Sequence, residues 1–167
     1  WVELEEFVKA VYRLSDLDWQ LISDTLTYAS PYSQSLKRAA ASVEEHSDEV
    51  LEFTVEMATA LEAMMDEPFT VQVKSLPNTT GWLFVEISKT TDDPNSGNRV
   101  RQSDIDFVTQ IALEESFWTS QLRLQVGPVQ WLIGQPNEAR YWSKSKARLL
   151  TLQLQEAGLF SSSAEIG

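Results

Sequence analysis

The stretch FTVQVKSLPNTTGWLFVEISK, residues 69–89, decides the fold class of this chain. Its first part alternates apolar and polar residues, which places Phe69, Val71 and Val73 on one face, as in a half-buried β-strand. Turn-forming residues at 78–81 follow, and the apolar run WLFVEISK behind them indicates a second strand. The stretch therefore predicts an antiparallel β-hairpin.

A second hairpin is predicted further along the chain. Residues 120–126 and 129–135 are two more apolar-rich segments, and the turn-forming pair Gly127 and Pro128 separates them. Two hairpins of this size predict a four-stranded, mainly antiparallel sheet.

Helices are expected on either side of the second hairpin. Ser103 is a suitable N-cap for a helix that runs to about Trp118, and a last helix is expected over about 138–157, ended by Gly158. The order β-β-α-β-β-α, preceded by helices, predicts an α+β fold with helices packed on one face of the sheet.

The N-terminal part has a helical pattern. Apolar residues recur at helical spacing in 1–14, and Ser15 is the expected N-cap of a second helix that Pro31 ends. We expect these two helices to form a tight hairpin. A long helix is predicted over 48–65, while 32–42 suits either a loop or a short helix. The apolar face expected for the first helix comprises Val2, Leu4, Phe7, Val8, Val11, Tyr12 and Leu14.

Charge is distributed unevenly along the chain. We divide it into an acidic helical region (1–67), an α+β sheet region (68–158) and a flexible tail (159–167), the whole forming one structural unit. The net charge is −12, and residues 1–68 contribute −11 of it, with 15 acidic and 4 basic side chains. Such a region repels polyanions, so nucleic acid could contact only a local basic patch nearer the C-terminus.

The composition excludes most classes of catalytic and metal site. Without cysteine there is no disulfide, thiol nucleophile or thiolate ligand. His46 is the only histidine, which excludes a multi-histidine metal site, and its Glu-rich surroundings indicate an exposed residue. Neither a Gly-rich phosphate loop nor a G-x-S-x-G motif occurs. We expect no catalytic residue, metal, cofactor or small-molecule substrate, and hence no enzyme.

The sequence also bears on location and on the extent of the chain. No apolar run approaches the ~20 residues that a membrane-spanning helix needs. The lack of cysteine suits a reducing compartment. We therefore expect a cytoplasmic protein with no membrane partner. Because Trp1 lies inside an amphipathic pattern, we also expect the chain to be a piece of a larger protein.

The strongest candidate site is the segment GQPNEARYWSKSKARLL, residues 134–150. Arg140, Lys144 and Arg148 follow one another at four-residue intervals, which aligns them along a helix as a basic stripe. Cations and small hydroxyls in this arrangement contact a phosphate backbone or an acidic protein surface. The alternatives are a solvated face and internal ion pairs with the acidic N-terminal helices. The residues expected to bind nucleic acid or a partner are Arg140, Ser143, Lys144, Lys146 and Arg148.

The opposite side of this last helix is expected to be apolar. Trp142, Leu149 and Leu152 lie on a face largely turned away from the basic stripe. Packing in the core is the preferred interpretation for Trp142, as for most of the six tryptophans.

Two stretches of the chain follow recognisable patterns. VYRLSDLDWQLISDTLTYASPYSQSLKRA (11–39) is similar to a helical VYxLxxxDWxLIxDT stretch followed by PYxxSxxRA, and QPNEARYWSKSKARLLTLQL (135–154) is similar to a Q-x-RYW-(S/T)-x-(S/T)-(K/R)-A-R segment. With these two stretches the chain resembles large bacterial restriction–modification and phage-defence proteins, where they often lie downstream of an adenine-specific DNA methyltransferase domain and the second lies near the end of the chain. The matching positions are Tyr12, Asp18, Trp19, Leu21, Ile22, Asp24, Thr25, Pro31, Tyr32, Ser35, Arg38 and Ala39, and then Arg140, Tyr141, Trp142, Ser143, Ser145, Ala147, Arg148 and Leu149.

The resemblance implies a non-catalytic C-terminal module that engages DNA or assembles a complex. The chain has neither the Gly-containing cofactor loop nor the Asn/Asp-Pro-Pro-aromatic motif of such methyltransferases. Our leading hypothesis is a non-enzymatic accessory module that contacts DNA, or a partner subunit or the remainder of a larger chain, through its last helix. The alternative is an acidic protein–protein interaction domain that never touches nucleic acid.

Overall fold

The computed structural model describes residues 2–28, 33–65, 68–77, 79–89, 103, 105–107, 110–111, 121–127 and 130–158. The named elements are α1 (Val2–Tyr12), α2 (Asp16–Tyr28), α3 (Ser33–Ala39), α4 (Asp48–Met65), β1 (Phe69–Lys74), β2 (Trp82–Lys89), β3 (Leu122–Gly127), β4 (Gln130–Pro136), a 3₁₀ turn (Ala139–Tyr141) and α5 (Lys144–Glu156). The expected loop at 90–102 and the tail at 159–167 lie outside the described residues.

The four strands form one antiparallel sheet in the order β1-β2-β4-β3. Both predicted hairpins are confirmed, and the two hairpins join through β2 and β4 at the centre of the sheet. In this register Val85 faces Val73 on one side and Ile133 on the other. The predicted α+β fold with a four-stranded antiparallel sheet is therefore confirmed.

One face of the sheet packs against α4 and α5 and forms the main core. Phe53, Met57 and Leu61 of α4 are completely buried against it. The rings of Phe53 and Trp142 have centroids 5.0 Å apart, and the Trp142 Nε1–H donates a hydrogen bond of 2.8 Å to the Pro136 carbonyl oxygen. The core position expected for Trp142 is confirmed, and its one polar group has a partner.

The other face of the sheet is also covered, which corrects the expectation of helices on one face only. Trp82, Phe84 and Leu132 are buried there, and Ile105 packs against them. The described residues between 103 and 111 are helical, whereas the rest of the helix expected over 103–118 lies outside the described residues. The second face of the sheet is buried because β2 is apolar at consecutive positions, as in strands that are buried on both faces.

A glycine lets the two central strands pack closely on this second face. Gly134 of β4 lies opposite Phe84 of β2. A Cβ atom at position 134 would lie 2.7 Å from Cε1 of the Phe84 ring. The bare backbone at Gly134 therefore provides the space in which the Phe84 ring is buried.

The boundaries of the N-terminal helices follow the predicted caps. The Ser15 hydroxyl accepts a 3.2 Å hydrogen bond from the Asp18 backbone N–H, and Asp18 Oδ2 accepts one of 2.9 Å from the Ser15 backbone N–H. Arg13, with φ of 53°, follows the end of α1 in the left-handed region. The open choice for 32–42 is decided in favour of a short helix, α3.

The last helix departs from its prediction in two ways. It begins at Lys144 rather than near 138, because Ser143 is its N-cap and a separate 3₁₀ turn precedes it. Its buried face is also different, since Leu149 and Leu152 are exposed. Ala147, Leu150 and Leu154 belong to the main core instead. The buried residues of α5 are Ala147, Leu150, Thr151 and Leu154.

Candidate interaction surfaces

The basic stripe is shorter in the structure than in the sequence. Arg140 lies on the 3₁₀ turn before α5, so only Lys144 and Arg148 of the stripe belong to the helix. Arg140 forms an ion pair with its neighbour Glu138, and its guanidinium carbon lies 5.3 Å from the centre of the Tyr141 ring. Arg140 is therefore held by local contacts at the surface.

The two helical cations of the stripe face α4. Lys144 Nζ lies 3.4 Å from Glu52 Oε2, and Arg148 forms an ion pair with Glu56 in which both side chains are partly buried. The partners are four residues apart on each helix, so two parallel contacts link α5 to α4. These contacts are the internal ion pairs with acidic helices that the sequence left as an alternative. Glu52 and Glu56 thus neutralise the positive charges of Lys144 and Arg148, which the sequence analysis had considered as phosphate contacts.

The remaining candidate residues lie at the start of α5. Ser143 is buried, and its hydroxyl accepts a 3.3 Å hydrogen bond from the Lys146 backbone N–H. The Ser145 backbone N–H donates a 2.9 Å hydrogen bond to Asp24 Oδ2 of α2. Two of the free N–H groups of this helix terminus are therefore occupied by the chain itself. The Lys146 side chain is exposed.

Asp24 and Tyr28 make contacts that hold α2 on the rest of the molecule. Gln20 Nε2 donates a 2.8 Å hydrogen bond to Asp24 Oδ1, which leaves Oδ2 for α5. Tyr28, at the end of α2, packs against the main core. Burial raises the pKa of the Tyr28 hydroxyl, and the negative charges of Glu49 and Asp24 raise it further. The later part of α2 is thus anchored to the rest of the molecule.

The helix α1 presents an apolar surface to solvent. Leu4, Phe7 and Val11 recur at positions i, i+3 and i+7, and we call them the α1 stripe. They are 53%, 64% and 55% exposed. Although all residues of α1 and α2 are described, neither helix contains a buried one. The first two helices form where the sequence predicted them, and the apolar face expected for α1 is exposed.

The side of α1 that meets α2 is its polar side. Lys9 Nζ lies 3.4 Å from Asp16 Oδ1 and 3.5 Å from Glu6 Oε1, and it stands 5.7 Å from the centre of the Trp19 ring. Desolvation lowers the pKa of Lys9, but Asp16 and Glu6 outweigh it, so the net change is upward. Because Lys9 is turned towards α2, the α1 stripe is left facing away from it.

An open cleft of about 590 Å³ lies between the segment 42–46 and the β1–β2 connection. At its edge Glu45 Oε2 accepts a 2.8 Å hydrogen bond from the Ser75 backbone N–H, and His46 stands 4.0 Å from the same carboxylate. The His46 side chain is 88% exposed, as its sequence context indicated. Within the described ranges, no group of three His, Asp or Glu side chains is arranged to hold a metal ion.

The fold and these surfaces define an α+β domain whose α1 carries an exposed apolar stripe, and α1 touches α2 mainly through Lys9 rather than in the tight hairpin that was expected. None of the helices in the described part of the chain is both long and apolar enough to cross a membrane. In comparisons with known proteins, no family model matches the sequence, and no curated protein or solved structure is significantly similar to it.

Proposed function

We propose that this chain is a non-enzymatic protein-interaction module that binds a partner protein through α1. One observation carries the proposal: Leu4, Phe7 and Val11 share one face of α1, and each is more than half exposed. Amphipathic helices of folded proteins turn such a face towards a core. Where the face stays exposed as a patch, it marks a surface for another protein.

The energetics support an interaction surface rather than a structural one. Fully burying a Leu, Phe or Val side chain is worth about 1.5–3 kcal/mol relative to leaving it in water. A partner that covers the α1 stripe would gain several such contributions, which is enough to offset part of the cost of association. The same side chains contribute little to the folding of the described chain, because they remain in water.

The charges favour this proposal over nucleic-acid binding as the main function. Residues 1–68 carry a net charge of −11, which repels a polyanion. Glu52 and Glu56 also neutralise Lys144 and Arg148. The resemblance of two stretches to restriction–modification and phage-defence proteins supports, as the partner, another component of a DNA modification or defence assembly.

DNA contact through the last helix is a second candidate function, and one observation favours it. Arg140 and Lys146 keep exposed side chains near the start of α5. A duplex could meet these two cations without breaking the ion pairs to α4. The expected contact is with phosphates, so it would weaken as salt rises.

The first experiment is site-specific photo-crosslinking in cells that produce the protein, with a benzophenone amino acid at position 7. Position 55 is the matched control, because Val55 is an apolar residue of α4 with 68% exposure. We expect a discrete protein adduct at position 7 and none at 55. The adduct should vanish when Leu4→Ser and Val11→Ser are added, and the partner identified by mass spectrometry should bind the purified chain. Absence of such a protein adduct at position 7 contradicts the proposal.

The DNA candidate is tested by fluorescence anisotropy with a labelled duplex at low and at physiological salt. Arg140→Ala with Lys146→Ala should abolish salt-sensitive binding, whereas Lys37→Ala removes a cation on α3 and should matter less. If the intact chain does not bind the duplex even at low salt, this second function is wrong.

A further inference from the structure

We infer that a pocket beside α5 binds a small organic anion, a phosphate monoester or carboxylic acid of a few carbon atoms. The pocket has a volume of about 180 Å³ and lies between α5, the 3₁₀ turn, the start of β3 and the end of β4. Drug-sized ligands occupy about 300–1,000 Å³, so this pocket suits a smaller molecule. None of the described lining residues belongs to α1, and the inference is therefore independent of the proposed partner surface.

One wall of the pocket is a row of side chains on α5. Lys146, Leu149, Leu150 and Gln153 follow one another at positions i, i+3, i+4 and i+7, so they share one side of the helix. Lys146 and Gln153 are two turns apart, which is about 10 Å along the axis, and the two leucines lie between them. The wall therefore offers a cation at one end, an amide at the other, and apolar surface in between.

The charge of the lining selects an anion. Lys146 is the one charged side chain among the described residues that line the pocket, and none of them is acidic, although the whole chain has a net charge of −12. On the same helix, Lys144 and Arg148 have glutamate partners, whereas Lys146 forms no ion pair with a described carboxylate. An anionic group in the pocket would give Lys146 its charged partner.

Hydrogen bonds hold the glutamines of the pocket in place. Arg123 of β3 donates a hydrogen bond of 2.8 Å to Oε1 of Gln121 and another of 2.8 Å to Oε1 of Gln153. Because Oε1 of Gln153 accepts from Arg123, the NH₂ group of the same amide can donate to a ligand. Gln135 is 4% exposed and donates a 3.0 Å hydrogen bond to the Tyr141 carbonyl oxygen, so its side chain is fixed as well. A lining that is ordered in advance lowers the entropic cost of binding.

NMR titration of the isotope-labelled chain tests the inference. The probes are glycerol phosphate and glycerate, with glycerol as the uncharged control. We expect both anions to shift the side-chain amide signals of Gln135 and Gln153 saturably, whereas glycerol, and sodium chloride at the same ionic strength, should not. The anion that binds more tightly shows whether the pocket takes a phosphate or a carboxylate.

Three variants test the role of charge. Lys146→Gln removes the cation and should weaken binding of both anions about tenfold, as expected for the loss of a hydrogen bond to a charged group. Gln153→Glu keeps an acceptor for Arg123 but adds a carboxylate to the lining, and it should weaken binding by at least as much. Lys37→Gln removes an exposed cation of α3 that does not line the pocket, and it should leave the affinity unchanged.

Several results would overturn the inference. These are equal binding of glycerol, the same shifts with sodium chloride, no saturable shift with either anion, or an affinity that Lys146→Gln leaves unchanged. A DNA duplex that shifts the same signals at a lower concentration than both small anions overturns it in favour of nucleic acid. The proposed function is judged separately, because crosslinking at position 7 does not involve this pocket.

Discussion

Single residues decide how tightly the main core is closed. Trp142 fills the space between α4 and the sheet, contacts Phe53, and has its indole N–H satisfied by the Pro136 carbonyl oxygen. A buried aromatic residue with its polar atom paired combines a large apolar area with no desolvation penalty. The contribution of Trp142 is therefore expected to exceed that of any exposed apolar residue on α5.

Trp142→Ala is expected to lower the free energy of unfolding by about 3–5 kcal/mol, because it opens a cavity that α4 and the sheet cannot close fully. Urea denaturation followed by circular dichroism measures the change. The matched control is Leu152→Ala on the exposed side of α5, with an expected change within about 0.5 kcal/mol. Equal effects of the two substitutions would contradict the placement of Trp142 in the core.

A second residue-scale prediction concerns the cap of α2. The Ser15 hydroxyl and then the Ser15 backbone N–H donate hydrogen bonds to Asp18, and they hold its pKa below the ordinary value of 3.8. A carboxyl whose pKa is lower in the folded state stabilises that state above its unfolded pKa. The contribution is lost as the pH falls through the folded pKa, so the start of α2 should loosen only in acid.

NMR titration of the Asp18 carboxyl measures this pKa directly. Ser15→Ala removes the hydroxyl donor and should raise the pKa of Asp18 towards 3.8. If the pKa of Asp18 is the same in both proteins, the Ser15 hydroxyl does not donate a hydrogen bond to the Asp18 carboxylate in solution.

Between elements, paired charges decide how α5 lies on α4. Lys144 pairs with Glu52, and Arg148 pairs with Glu56. Both pairs lie beside the buried residues of α5. The same cations could serve a phosphate only by giving up these glutamates. Surface charge that looks available in the sequence is thus partly used within the fold.

A double-mutant cycle on Arg148→Ala and Glu56→Ala measures the interaction energy between these two side chains. We expect a coupling energy of about 1 kcal/mol in unfolding experiments at low salt, because the pair is partly screened by water. Lys146→Ala combined with Glu56→Ala should show no coupling. A coupling energy of zero for Arg148 and Glu56 would leave Arg148 available for an outside partner.

At the scale of the whole molecule, apolar side chains are divided between a buried core and an exposed stripe on α1. The sheet is covered on both faces, whereas α1 contributes no buried residue. The domain is therefore expected to fold without help from the α1 stripe, which is kept for an external contact.

Phe7→Ser with Val11→Ser should consequently change the free energy of unfolding by less than about 0.5 kcal/mol. Thermal and urea melts measure the effect, with Met57→Ala, which is completely buried, as the destabilising reference. A loss comparable to that of Met57→Ala would show that the stripe belongs to the core.

The sequence predicted most of the elements and the strand pairing within each hairpin, because those depend on local patterns, whereas the central pairing of β2 with β4 was not predicted. The alternation at Phe69, Val71 and Val73 predicted β1, and the apolar run behind it predicted β2 at the bounds observed. The caps of α2 were visible in the same way, since Ser15 and Asp18 interact only three residues apart. Local spacing is sufficient wherever both partners of an interaction are neighbours in the chain.

Tertiary structure alone decided which apolar side chains are buried and which charged side chains form ion pairs within the chain. The sequence shows an apolar face on α1 and cations at Lys144 and Arg148, but not what covers either. Packing turned Lys9 of α1 towards α2, and it placed Glu56 beside Arg148 across 92 positions of the chain. Burial is set by contacts between segments far apart in sequence, and amphipathic spacing has the same form whether its partner lies within the chain or outside it.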